Sequence, residues 1–177
     1  MKMEERVKEI RKKYNNPIIG VIGATSPLPG YKQDDAFRLG YALREAVDTK
    51  GTLFTGGVPG VGLDVYRGIA HYASVRNIDD KFFILFPDMK IKIQGIDTLA
   101  EPNINYHDQA SKTKNRILRI ERVGKDMLER RAYVGAVADA LIIVNGSDGT
   151  LDEMLQGLLM EKQLITLQTS GGAAEVA

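Results

Sequence analysis

The stretch DALIIVNGSDGTLDEMLQ, residues 139–156, decides the fold. Its apolar run, Ala140 to Val144, passes through a turn carrying Gly146 and Gly149 into a segment whose apolar residues recur at helical spacing. A buried strand feeding a helix through a glycine-bearing turn is a building unit of α/β proteins. Working outward, PIIGVIGA (17–24), GTLFTGG (51–57), KFFILFP (81–87) and LITLQ (164–168) are further apolar runs of strand length. Helical patterns fall between them: Val7, Ile10 and Tyr14 in the first segment, a helix from about Asp34 to Lys50, another over 61–77, and a long one from about Thr113 to Val137. This alternation predicts an α/β, Rossmann-like three-layer sandwich with a mostly parallel central sheet. One domain is expected over residues 1–177, opening with an N-terminal helix (1–16) that stops at Asn15-Asn16-Pro17. Residues 88–111 show little pattern beyond a short strand at Ile91-Lys92-Ile93. The ending GGAAEVA reads either as a helix start cut short or as a disordered terminus.

Composition removes several function classes. Hydrophobic residues at 44% and charged residues at 27% are those of a globular protein, and no apolar run reaches the ~20 residues of a membrane helix. The N-terminus is charged rather than signal-like, so the expected location is cytoplasmic, with no membrane partner. Zero cysteines exclude disulfides, thiolate metal sites and a cysteine nucleophile, and with only His71 and His107 no metal site is expected. A net charge of +1 argues against nucleic acid as a partner. The basic run from Lys112 to Arg131 reads as a solvated helix face with ion pairs one turn apart.

Three strands deliver glycine-bearing turns to one edge of the sheet, where α/β proteins collect ligands: Gly23 with Thr25 and Ser26, Gly56 with Gly57, and Gly146 with Gly149. None matches GxGxxG or GxxxxGK[ST], so dinucleotide and Walker-type sites are disfavoured and no cofactor is expected. In NGSDGTLDE the amides of the helix's first turn would face an anion, where the helix dipole also favours negative charge. The alternative is a plain capping box made by Thr150 and Glu153. Arg130 shares a stripe with Val134 and Val137, and an inward guanidinium needs an anion, either an internal carboxylate or a bound phosphate or sugar. Arg131, about 100° further round, is expected at the surface.

These residues resemble the LOG (lonely guy), lysine-decarboxylase-like family, whose signature is an arginine, a "DA" strand nine residues on, and PGGxGTxxE. GVIGATS and TGGVPGVGLDV resemble its first two glycine turns, so the likeness runs from about Ile18 to Ile165. The resemblance implies a Rossmann-like nucleotide-binding homodimer that releases a base from a nucleoside 5′-monophosphate. It assigns catalysis to Arg130 and Glu153, and phosphate binding to Gly146, Ser147, Gly149 and Thr150. A base pocket is expected to draw on residues 88–111. Asn145 stands at the family's proline, Ser147 at its second glycine and Asp148 at its variable position.

Asp148 is the serious departure. Pointing inward at ~6 Å it would repel each phosphate charge by ~3 kcal/mol, against about 1.5–3 kcal/mol returned by each charge-assisted bond. Pointing to solvent, it is largely screened. The sequence therefore supports a phosphoribohydrolase, with a non-catalytic binder of a nucleotide or a phosphorylated cofactor such as a pterin as the alternative. A purely structural subunit is the third reading.

Overall fold

The computed structural model describes residues 2–48 and 50–176. Six strands form one sheet: β1 (Ile18–Gly23), β2 (Thr52–Thr55), β3 (Phe82–Phe86), β6 (Ile120–Arg122), β7 (Ala140–Val144) and β8 (Gln163–Leu167). Their order is β6-β3-β2-β1-β7-β8 and every pairing is parallel. A separate antiparallel hairpin, β4 (Lys90–Ile93) with β5 (Ile96–Leu99), follows β3 and is exposed throughout. The helices are α1 (Met3–Lys13), α2 (Gln33–Val47), α3 (Val61–Arg76), α4 (Ile104–Ala110), α5 (Met127–Val137), α6 (Asp148–Leu159) and α7 (Ala173–Val176). None is long and apolar enough to cross a membrane.

Strand side chains alternate between two cores because successive Cβ atoms point to opposite faces. Phe82, Ile84 and Phe86 pack with α2, α3 and α4 on one face. Phe83 and Leu85 face the other way, into a core shared with Ile10 of α1, Val134 and Val137 of α5 and Met154 of α6. Burial on both faces explains why these strands read as continuous apolar runs, each large side chain contributing roughly 1.5–3 kcal/mol. At the strand starts, Asp139 ties three elements together: its Oδ2 accepts the Ile18 amide at 2.7 Å and its Oδ1 accepts the Arg11 guanidinium at 2.6 Å.

The long helix expected from Thr113 to Val137 does not form. Ile120–Arg122 is instead an edge strand paired with β3, and α5 begins only at Met127. Gly124 at φ +67° breaks the chain, and the Asp126 side chain accepts the Glu129 amide to start α5 afresh. Sheet pairing wins here because Glu121, buried in β6, also collects Arg6, Lys13 and Tyr14 from the N-terminal segment. The basic run is accordingly no single solvated face. Arg119 pairs with Asp79 and Asp80, Arg122 with Glu101, and the one-turn pair is Lys125 with Glu129. The unpatterned stretch 88–111 holds the hairpin and α4, and GGAAEVA does enter a helix, α7.

At the opposite end of the sheet from the glycine turns, Asp80 is 2% exposed, bonded to the Tyr66 hydroxyl at 2.8 Å and to Arg119 at 3.3 Å. Burial pushes its carboxyl up to about 6, the hydrogen bond and Arg119 offsetting only part of the effect. Neighbouring Asp79, despite an opposing burial effect, is held down at about 2 by the Lys81 amide and Arg119. A raised folded-state pKa means stability that is fully present below the unfolded value near 4 and lost as pH rises through 6. Asp79 acts in the opposite sense, its contribution disappearing only as pH falls from about 4 towards 2. Urea unfolding of the wild type and Asp80→Asn from pH 4 to 7 should show the wild type losing on the order of 2–3 kcal/mol relative to the variant across that window. Parallel curves would contradict the assignment.

Candidate functional site

Strand order reverses between β1 and β7, and the carboxyl ends of these strands open a crevice there. Three loops meet over it. The Val61 amide, after the second glycine turn, donates to the Ala24 carbonyl at 3.1 Å, and the Leu28 amide donates to Asn145 Oδ1 at 2.9 Å. Asn145 is wholly buried with φ +56°, a conformation asparagine tolerates better than most side chains. Its amide donates to Ser170 Oγ at 2.6 Å and its Nδ2 to the Ser170 carbonyl at 2.5 Å. From α7, the Ala173 amide reaches the Gly146 carbonyl and the Ala174 amide the Asn145 carbonyl. Tyr31, at the far end of the first loop, donates its hydroxyl to buried Asp64 at 2.6 Å, and burial together with that bond pushes its ionisation up.

So held, the third turn leaves its own donors open. Among the described residues, the amides of Gly146, Ser147, Asp148 and Gly149 donate to no protein acceptor. The capping box does not form: α6 starts at Asp148 with Ser147 as N-cap, and the Glu153 side chain goes elsewhere. Asp148 is exposed in the helix's first turn, which answers the question its position raises. Screened there by water, its charge opposes an anion only weakly.

Arg130 and Glu153 meet. Arg130 Nη2 donates to Glu153 Oε1 at 2.5 Å, with the two side chains 6% and 8% exposed. Among the described residues, buried Arg130 Nε has no hydrogen-bond partner and Glu153 Oε2 accepts no hydrogen bond. The guanidinium lies against Gly56, where an added Cβ would sit 2.8 Å from Nη1, so this close approach needs glycine. Both side chains line a cleft of about 90 Å³ together with Gly23, Thr25, Ser147 and Thr150. Arg131, 30% exposed and so at the surface as expected, also lines it: its Nη1 donates to Asp152 at 2.9 Å and its Nη2 lies 3.0 Å from where a Cβ on Gly149 would be. Only the fold shows this, because α5 packs on α6 closely enough to bring a residue beside the buried stripe over the neighbouring turn.

The other expected residues stand further back. Ser26 is exposed outside the cleft, Gly57 is buried against Ile84 and Phe86, and Gly146 is buried against the Thr150 side chain, shaping the turn. No residue between 88 and 111 lines the cleft; Asn103 and Tyr106 brace the second turn through the Gly57 and Val58 carbonyls. Three cavities are larger: one of about 240 Å³ around His71, between α2, α3 and α4, and two of about 300 Å³. Of the latter two, one lies at the strand starts, where Arg119 is already committed to Asp79 and Asp80, and the other beside the edge strand around Gly124. None of the three combines open amides with the reversal in strand order, so the smaller cleft is the stronger candidate. Among the described residues no group of three metal-ligating side chains is found.

No family model matches the sequence, and no curated protein sequence does either. Solved structures share the fold. The X-ray structure of TM1055, a structural genomics target, aligns with a TM-score of 0.60 at 21% identity over 90% of this chain and 78% of that one. DNA processing protein A from Helicobacter pylori, described for its single-stranded DNA binding mode, aligns at 0.59 and 17% identity over 95% and 74%. The Moco carrier protein from Chlamydomonas reinhardtii aligns at 0.52 and 18% identity over 90% and 80%.

Gly56→Ala tests the geometry directly. The added methyl should push Arg130 off Glu153 while leaving the fold intact, because a flexible guanidinium yields before the backbone does. Expected are a folded protein whose melting temperature falls by roughly 6–20 °C, because separating a buried ion pair costs about 3–5 kcal/mol, and a crystal structure with the Arg130–Glu153 bond broken. An unmoved pair would show that Gly56 is not what positions Arg130.

Proposed function

We propose that the protein binds the phosphorylated end of a nucleoside 5′-monophosphate in the cleft between β1 and β7 and hydrolyses its N-glycosidic bond, as a LOG-like phosphoribohydrolase. The observation that carries this reading is the Arg130–Glu153 contact, formed by two helices beside a turn of open amides. At about 90 Å³ the cleft is far below the ~300 Å³ or more of a pocket that encloses a whole ligand, so phosphate and ribose enter it and the base stays at its mouth.

Each residue has a role in the chemistry. The open amides from Gly146 to Gly149 take the phosphate, with the α6 dipole behind them. Glycosidic cleavage develops positive charge at C1′, and the free Oε2 of Glu153 stabilises that charge and orients a water. The C1′–N electron pair leaves with the base, the water oxygen bonds to C1′, and one water proton ends on the base. Arg130 holds Glu153 in place and offers its unpartnered Nε to the sugar.

A second reading, a carrier or sensor that binds without turnover, draws on Ser147 and Asp148, which depart from the LOG signature, and on the fold shared with a Moco carrier protein. The two separate cleanly. Incubation with a panel of common 5′-monophosphates should release free base from at least one, and Glu153→Gln should lower that release by about a hundredfold or more with its circular dichroism unchanged. Saturable AMP binding with no base released from any nucleotide would overturn the hydrolase in favour of the carrier.

A homodimer belongs to the same reading. Leu155, Leu158 and Leu159 form an exposed ridge on α6, at 52%, 52% and 78%, of the apolar kind that marks subunit contacts. Light scattering should give twice the chain mass, and Leu155→Glu with Leu159→Glu should give a folded monomer. A wild-type monomer at all concentrations would count against pairing.

A further inference from the structure

Resting on the phosphate-binding reading above, we propose that Arg131, held by Asp152, is the residue that distinguishes a phosphorylated ligand from its unphosphorylated counterpart. Arg130 is neutralised by Glu153, and Arg131 makes a single bond to Asp152. Exposed Asp148 adds one further negative charge beside the turn. A dianionic phosphate arriving there meets open amides but no free cation, unless one guanidinium can serve two anions.

Arg131 can. Only its Nη1 is bonded, to Asp152 Oδ2 at 2.9 Å, while Nε and Nη2 have no acceptor among the described residues. Outside its own helix and chain neighbours, Nη2 is the atom nearest to the Cβ position of Gly149, at 3.0 Å, so the guanidinium lies against residue 149 of the turn, whose amide is unbonded. A side chain at residue 149 would occupy that space. The Asp152 bond directs the guanidinium while its remaining N–H groups stay available, in the fork geometry that suits phosphate oxygens. At 30% exposure the Arg131 side chain is accessible to ligand yet fixed enough to be preorganised. Arg130, at 6% exposure, is far less open to an arriving phosphate than Arg131.

Ribose 5-phosphate is a suitable probe, since it carries the phosphate and has no base to lose. Titration calorimetry is expected to show that the wild type prefers it to ribose, and that Arg131→Gln lowers its affinity by about ten- to hundredfold with ribose binding unmoved. Arg131→Lys should fall between them, keeping the charge and losing the fork. Asp152→Asn should bind ribose 5-phosphate as well as wild type or better, because an anion is removed while an acceptor for Arg131 remains. Wild-type preference retained in full by Arg131→Gln, with Arg131→Lys agreeing, would overturn the assignment and leave the phosphate site standing. A wild type that binds neither ribose 5-phosphate nor AMP would overturn the proposed function, and this inference with it.

Discussion

Parallel pairing of β1 with both β2 and β7 is the constraint from which the rest of the molecule follows. It places the reversal of strand order at the centre of the sheet, and Asp139 secures it from below by holding the first amide of β1 and a guanidinium of α1. With the strand starts clamped, chains leaving the carboxyl ends must diverge, towards α2 from β1 and towards α6 from β7. The crevice between them is thus a product of topology, present before any polar group is considered.

What makes the crevice chemically particular is that its rim is knotted from distant segments. Asn145 ends β7 in a left-handed conformation and spends its polar atoms on the loop after β1 and on Ser170 beyond β8. Asn145 and Ser170 are buried, and a buried polar group left unpaired costs about 1–3 kcal/mol. The knot therefore holds the turn in one shape while leaving the amides from Gly146 to Gly149 unspent. A proline at 145 would have no amide for Ser170 and no side-chain amide for Leu28, so the knot could not form around one.

The Arg130–Glu153 pair carries a different message. Replacing a buried ion pair by apolar side chains is frequently neutral or stabilising, so stability is a weak reason to keep one. Here, among the described residues, the pair also retains a buried, unpartnered Nε and a carboxylate oxygen without a bond, on two side chains that line a cleft. Such incomplete satisfaction is expected where a ligand completes the network.

The strands of the main core, the helical stripes of α2 and α3, and the inward turn of Arg130 are legible in the sequence, because alternating burial and helical periodicity are local signals. The division of 113–137 into β6 and α5 is not, since Ile120 and Val123 fit a helical repeat as well as a strand, and pairing with β3 decides between them. Within 88–111 only Ile91-Lys92-Ile93 of the hairpin reads as strand, since the return strand and α4 lack a buried face long enough to imprint a pattern. Asp148 at the surface, Asn145 at the centre of a three-loop knot, and Arg131 turned over Gly149 belong to the tertiary structure alone. Local sequence sets which face of a segment avoids water, whereas the partner of a charged group is chosen by which segments the fold brings within hydrogen-bond distance.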